Sequence, residues 1–578
     1  MSIEPAGATV TSPALARPRW RDLPGDLAAA LLKGGVGQLH LVGIAEMALA
    51  AMNTPEGSAY GPAALFALGA DALCAAWEAD PLDGRTAGQL AALHKARPFL
   101  PTPVFRVAEL LAALDAPPPE AEVRQLVQLL QQRDADASCR LLDRQRRAQP
   151  GNTFWLRQAM VVGMTEARHQ WLDAWLAGLP SGLRDGGGVP APVVAALRGD
   201  VAFARGDMAG AAALYAAACK ALPLVTWRVR HAESLYRAGD RDAALALWRA
   251  AADARPWQVN LLLRLDDVAR GRDLPGDLPA GRGAVLFYTW NKAECIDEAL
   301  ASVAASDLGD ARVVVLDNGC TDATPKVLAR WAERTPSRPG GSLGERLLTV
   351  TLPLNIGAPP ARNWLLTLPE VRACDWMAFL DDDATVPPDW LRLFGASMAV
   401  HPAANVYGCR VVDHAVPMLL QSVDLHLDPG GDMAAAPENA PGYRRRFSVS
   451  DLHLQELDFG QFSYQRPCVS VTGCCHLFRR AVFDAVGPFD LRYAPSQYDD
   501  LEHDLRRSLR GDLPVYQGHL AVRHMKRTGR SAWTDPAQFS NAWANMYKLQ
   551  YRYARPDFDT LRQHDHAALL EDVEARGF

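Results

Sequence analysis

Three consecutive carboxylates, Asp381, Asp382 and Asp383, close the apolar run in "WMAFLDDDATV" (residues 376–386). Side chains on a strand alternate faces, so an extended chain would point Asp381 and Asp383 one way and Asp382 the other. Two like charges sharing one small space become tolerable when a cation sits between them, and hard oxygen ligands suit Mg²⁺ or Mn²⁺. The plainer alternative is a solvated acidic turn.

Metal chemistry of this kind needs a frame that gathers other polar groups, and the second half of the chain supplies one. Short apolar runs, "AVLFYT" (284–289), "RVVVLDN" (312–318), "RLLTVTL" (346–352) and "WMAFLD" (376–381), alternate with helical stretches. That alternation predicts βαβ units and a parallel sheet, in which ligands bind beyond the carboxyl ends of the strands. Polar residues stand at each of those ends: Thr289 and Asn291 after the first, Asp317 after the second, Asn355 after the third, the aspartates after the fourth. Surface solvation alone is a poor explanation for convergence at four strand ends.

The stretches around these ends carry a resemblance. "FYTWNKAECIDEALASV", "VVVLDNGCTDATPKVL", "LNIGAPPARNWLL" and "FLDDDATVPPDWL", in this order, resemble the nucleotide-sugar-binding half of family 2 glycosyltransferases with a GT-A fold, over residues 284–530. Trp290 stands where a tyrosine is commoner, and Asn318, Gly319 and Cys320 where an acidic or Ser-containing turn is commoner. The resemblance makes Asp381 and Asp383 the metal-binding DXD pair, for Mn²⁺ or Mg²⁺. It makes Thr289, Asn291, Glu294, Asp317, Asn355, Arg362 and Asp382 donor-binding residues. Asp317 could accept a ring N–H of a nucleobase, although an Asx-type turn in "DNGCTD" would use the same carboxylate. Arg362, near the start of a helix opened by Pro359 and Pro360, could pair with a phosphate, reach the aspartates, or form a structural ion pair.

A second set lies downstream. "VTGCCHLFRRAVFDAVGPFD" (471–490) and "YDDLEHDLRRSLRGDLPVYQGHLAVRH" (498–524) resemble the family's acceptor-side segment, with Gly473 and Asp499 on the acceptor side and Asp499 and Asp500 as its paired acidic motif. Thirteen residues run from Asp499 to Gly511, the usual spacing from acidic pair to glycine. Attack by a sugar hydroxyl needs its proton removed, and Asp500 is the candidate general base; a helix whose first turn simply favours acids is the alternative. With one base candidate and no positioned enzyme nucleophile, the expected reaction is inverting. By resemblance to some members, His524 completes the metal shell through a ring nitrogen. Lys526, Arg527 and Arg530 form a basic tail that could close over a diphosphate or remain a solvated cluster.

Residues 23–270 are rich in Ala, Leu and Arg, strong helix formers, and predict an all-α half. "ARGDMAGAAALYAAACKALP" and "RAGDRDAALALWRAAADARP" repeat at an offset of 33 residues, and "QRDADASCRLLDRQRRAQP" is a weaker copy with Leu141 matching Leu214 and Leu247. Gly-Asp at 206/207 and 239/240 should end one helix and open the next. Each copy is then a helical hairpin, resembling tetratricopeptide-like repeats, whose stacked surface commonly serves peptides, proteins or self-association. Gly and Pro concentrate in residues 271–283. The expected organisation is a disordered tail (1–22), a helical repeat domain (23–270), a linker (271–283), a GT-A transferase domain (284–530) and a helical extension (531–578). The extension's "WANMYKLQYRYARP" reads as an amphipathic helix packed on a domain rather than on a membrane.

The 578 residues, 49% hydrophobic with a net charge of −6, suit a multidomain globular chain. The acidic balance lacks the basic footprint of a nucleic-acid binder. Ten cysteines without ligand spacing suggest reduced thiols, and no signal-like or spanning segment is evident, so a cytoplasmic protein, or one peripheral to the inner face of a membrane, is expected. The resemblance implies a nucleotide-diphosphate sugar donor, a glycan, lipid-linked or protein acceptor in bacterial glycan or glycoconjugate synthesis, and a protein partner for the repeats. Two competing readings remain: a helical-repeat scaffold carrying a degenerate transferase domain, and a sugar-phosphate nucleotidyltransferase, which would need a Gly-rich loop near the first strand that "FYTWNKAE" lacks. A dehydrogenase would need GxGxxG there.

Overall fold

The computed structural model describes residues 16–179, 188–333, 343–429, 445–526 and 536–578. They fall into two compact units divided between Leu265 and Asp266.

Among its described residues the first unit contains helices and no strand. The repeated segments are helices Met208–Ala221 and Arg241–Ala254, each entered through the same turn. Gly206 and Gly239 take positive φ, and the amides of Asp207 and Asp240 donate to the carbonyls of Ala202 and Leu235, five residues back. The Asp207 and Asp240 carboxylates then cap the next helix, accepting the N–H of Gly210 and Ala243. This is a Schellman stop followed by an N-cap. The same i to i+5 bond closes at Asp134, behind Arg133, and at Arg168, behind Ala167, both of which take positive φ without being glycine. The turn at Ala167 therefore belongs to the series although its sequence hides it. Leu214 and Leu247 are only half-buried. The shared core position lies one residue later, at Leu142, Tyr215 and Trp248, all fully buried; each such side chain contributes about 1.5–3 kcal/mol by leaving water. Trp20, inside the expected tail, is buried in a short turn, Trp20–Asp22.

The second unit is built on a ten-stranded sheet. Strands β1 (Gly283–Thr289), β2 (Arg312–Asp317), β3 (Leu347–Thr351) and β4 (Trp376–Leu380) pair in parallel, in the order β4-β1-β2-β3. β1, β2 and β4 are buried along nearly their whole length, which is why they read as continuous apolar runs. The remaining strands are β5 (Ala384–Thr385), β6 (Val406–Asp413), β7 (Leu420–Ser422), β8 (Leu427–Pro429), β9 (Phe447–Val449), β10 (Gln465–Pro467), β11 (Cys475–Arg479) and β12 (Val515–His524). Of these β11 joins β4 antiparallel, so the sheet is mixed rather than purely parallel. β12 runs parallel to β6 and meets β5 antiparallel, with His524 opposite Ala384. That pairing carries His524 from a distant part of the chain to the aspartate triplet.

The units divide ahead of the 271–283 segment because Asp267 belongs to the α/β core: its carboxylate accepts the Gln465 N–H at 2.7 Å and meets Arg576 Nη1 at 2.6 Å and His519 Nε2 at 3.0 Å. The Gly/Pro segment is itself docked, with reciprocal bonds between Gly276 and Arg392. The C-terminal helices Pro536–Arg552 and Arg555–Ala575 pack into the same unit, where Leu549, Tyr553, Phe558 and Leu561 bury against Tyr493, Leu501 and Leu505. Asn545 Nδ2 donates to the carbonyls of Tyr493 and Ser496 at 2.8 Å, fixing the approach to Asp499 and Asp500.

Candidate active site

Parallel register aligns the strand ends: Thr289 is opposite Asp317, and Asp317 opposite Thr351. Thr289 and Asp317 are buried there. Asp317 Oδ1 accepts the Cys320 N–H at 2.8 Å, so the Asx-type turn is real. Gly319 makes that turn possible, because it has positive φ and a Cβ would lie 2.6 Å from the Leu354 backbone. Asn291, also at positive φ, accepts the Thr321 N–H at 2.8 Å. Asn318 spans to Asn355 at 2.9 Å and accepts the Ile356 N–H at 3.0 Å. These amides hold the loops after β1, β2 and β3 in one surface. Glu294 stays exposed in the first turn of the helix Ala293–Ala304.

The aspartates depart from the extended reading. β4 stops at Leu380, and the chain turns, with the Ala384 N–H donating to the Asp381 carbonyl at 3.1 Å. Strand alternation therefore does not separate Asp382 from its neighbours. Lys292 Nζ sits 2.8 Å from both Asp382 Oδ1 and Asp383 Oδ2. Burial works against the ammonium, but the two carboxylates hold its pKa well above the ordinary lysine value.

His524 takes the other side of Asp383. Its Nε2 lies 3.0 Å from Asp383 Oδ1 and 3.9 Å from Asp381 Oδ2. Gln421 orients the ring: its Nε2 donates to the carbonyls of His524 and Lys526, leaving Oε1 to accept from His524 Nδ1 at 2.8 Å. A donor fixed on Nδ1 turns Nε2 toward the carboxylates, the arrangement a ligating histidine uses. Burial would raise Asp383, yet the His524 hydrogen bond, the imidazolium and Lys292 hold it below the carboxylate range. Asp381 goes the opposite way: burial raises it to about 6, with Arg362 opposing. A half-buried acid with a raised pKa, beside a ring nitrogen that faces two carboxylates, is a place where a cation can replace protons.

Across from the triplet, Arg362 is buried and bonds Asp499 Oδ2 at 2.7 Å, with Nη2 3.9 Å from Asp381 Oδ1. Arg362 thereby ties the two acidic motifs together. Burial raises the Asp499 pKa while Arg362 opposes it. Asp500 behaves differently. It is only half-buried, and its carboxylate accepts the N–H of Gly473 at 2.7 Å and of Leu501 at 2.8 Å. Both acids open the helix Asp499–Ser508, entered through Gln497 and Tyr498 at positive φ, and Gly511 follows its end. Gly473 leaves no room for a side chain: a Cβ would lie 2.8 Å from both Arg362 Nη2 and Asp500 Oδ2.

Sequence reasoning missed Lys292, Gln421 and Cys474. Lys292 directly follows Asn291 in the first motif, a position that could have been read as a counter-charge to the aspartates. Gln421, on a three-residue strand, left no signal. Cys474 is buried, and a carboxylate oxygen of Asp381, its Sγ and a ring nitrogen of His524 lie within 4.8 Å of one another. Arg527 and Arg530 of the basic tail lie outside the described residues; Lys526 is exposed. All ten cysteines are free thiols. No helix among the described residues is long and apolar enough to cross a membrane.

In an α/β sheet, polar groups gathered beyond the carboxyl ends of the parallel strands stand where such domains bind ligands. Residues 285–487 of the second unit match the model for glycosyl transferase family 2, and the unit's mixed α/β sheet is of the GT-A kind. No curated protein matches the chain. Solved structures that resemble it include S. aureus TarS (15% identity, covering 48% of this chain and 44% of that one, TM-score 0.28) and the mannosyltransferase PcManGT from Pyrobaculum calidifontis in complex with GDP-Man and Mn²⁺ (18% identity, 55% and 91%, TM-score 0.31). The chain thus spans less than half the length of the TarS chain.

Proposed function

We propose that this chain transfers a sugar from a nucleotide-diphosphate donor to an acceptor hydroxyl with inversion, using Mn²⁺ or Mg²⁺. The observation that carries the reading is the meeting of Asp381, Asp383 and an oriented His524 Nε2 beside the second acidic pair. Two carboxylates and an imidazole suit a divalent ion, and the ring is already turned to offer its nitrogen. Bound there, the ion would neutralise charge developing on the departing diphosphate. Asp382 and Lys292 brace the triplet, while Thr289, Asn291, Asp317 and Asn355 shape the surface for the nucleoside. Arg362 holds Asp499 and leaves Asp500 as the acid an acceptor can reach. Asp500 takes the hydroxyl proton as the acceptor oxygen bonds to the anomeric carbon and the diphosphate leaves from the opposite face. The helical unit serves as a surface for the acceptor or a protein partner. A glycan, a lipid-linked sugar or a protein would each supply the required hydroxyl, and the work is expected on the cytoplasmic side.

Release of nucleoside diphosphate from a panel of sugar nucleotides tests this reading. At least one donor should turn over when Mn²⁺ is added and stop when it is chelated. Failure with every common donor would favour a scaffold with an inactive domain. A finer expectation concerns Gly473→Ala, whose methyl group must displace the Asp500 carboxylate or the buried Arg362. Transfer should fall by up to roughly 10²-fold, the cost of misplacing a reacting group by about 1 Å. Donor affinity, measured by titration, should change little.

A further inference from the structure

Cys474 is held where a metal ligand would be. Its residue immediately precedes β11, whose Cys475 is paired with Leu380 of β4, and the Asp381 N–H donates to the Cys474 carbonyl at 2.9 Å. Both residues lie one step beyond that last pair, where the ladder has ended, and this hydrogen bond between their backbones sets them side by side. His524 comes from a third element, locked by its pairing with Ala384 and by the Met525 N–H donating to the Asp383 carbonyl at 2.8 Å. The three potential ligand atoms, one O, one S and one N, all lie within 4.8 Å of one another. An ion bound at about 2.0–2.3 Å from each would hold them roughly 3–4 Å apart, a closing movement small enough for side chains alone.

Asp383 makes the case for a further donor. One of its oxygens is committed to Lys292 and the other faces His524, so the second carboxylate of the triplet is only partly available. The Cys474 thiol, by contrast, is buried. A buried sulfur beside a carboxylate and an imidazole matches a mixed O, N, S ligand set.

Resting on the metal reading above, we infer that Cys474 ligates the divalent cation with Asp381 and His524, so that the site favours thiophilic cations over Mg²⁺. Binding expels the thiol proton and the His524 Nε2 proton to solvent, leaving a thiolate and a neutral imidazole on the ion. Thiolate ligation disfavours Mg²⁺ most, and it strengthens Co²⁺, Zn²⁺ and Cd²⁺ relative to Mn²⁺.

Co²⁺ added to the full chain supplies a direct readout, the thiolate-to-cobalt charge-transfer absorption. The wild type should develop that band, Cys474→Ser should lose it, and Cys475→Ser should keep it. Affinity for Cd²⁺ should fall in Cys474→Ser by at least the roughly 10–100-fold that losing an outer-shell partner costs. In the wild type, Cd²⁺ should raise the melting temperature at lower concentration than Mg²⁺, a comparison that needs no variant. Co²⁺ bound without the charge-transfer band, or a band that survives Cys474→Ser, would overturn the ligand assignment while leaving a metal site in place. No binding of Co²⁺, Cd²⁺ or Mn²⁺ would overturn the metal reading itself.

Discussion

Asparagine in place of Asp500 is expected to lower sugar transfer by roughly 10²–10⁴-fold, the range typical of losing a general base. The substitution keeps the shape of the side chain, and its amide oxygen can still accept the Gly473 N–H that Asp500 accepts at 2.7 Å. What it removes is the capacity to take a proton from the acceptor hydroxyl. Donor affinity should therefore stay nearly constant while turnover collapses, a split seen by titrating the sugar nucleotide and timing product formation on the same preparation. Asp500 is singled out from Asp499 by its surroundings. Asp499 is buried and spent on Arg362, whereas Asp500 is half-exposed and touches only backbone N–H groups among its hydrogen-bond partners. Equal losses in donor affinity and turnover would make Asp500 a donor or metal contact and remove the base from the mechanism.

Much of the edge of the sheet was legible because buried parallel strands are written as unbroken apolar runs. In "RVVVLDN" the first polar residue after such a run marks the place where the sheet ends, and Asp317 stands there in the structure. The same logic misled at Asp381 to Asp383. Alternation applies only while the backbone is extended, and β4 ends at Leu380, so turn geometry decides where those carboxylates point. Lys292 then brackets Asp382 and Asp383 across a separation of about ninety residues, which no local pattern can announce.

The antiparallel entry of β11 was equally silent. Nothing in "CCHLFRR" states a strand direction, yet that direction sets Cys474 against Asp381. Within the helical unit the repeat showed where glycine occupies the left-handed position, at Gly206 and Gly239, and faded where Arg133 and Ala167 adopt the same conformation. Aligning on leucines also put the shared core one residue early, since Tyr215 and Trp248 are the side chains that fill it.

Alanine at both Asp381 and Asp383 should abolish the part of donor binding that depends on the cation, because it removes both carboxylates that face His524 Nε2. Lys292 would then keep only Asp382, and Arg362 would still hold Asp499, so the sheet and the second acidic pair should remain folded. Asp382→Asn should also weaken binding, because Asp382 and Asp383 share one ammonium rather than facing opposite ways. Stabilisation of a transition-state charge by a bound ion is on the order of several kcal/mol, so the double variant should have no measurable transfer. The most direct measurement is calorimetric titration of the sugar nucleotide into wild type and double variant, each with and without Mn²⁺, with melting curves to confirm folding. The account predicts that Mn²⁺ tightens binding to the wild type and has no effect on the variant. Donor affinity indifferent to Mn²⁺ in the wild type, or an undiminished Mn²⁺ effect in a folded double variant, would contradict it.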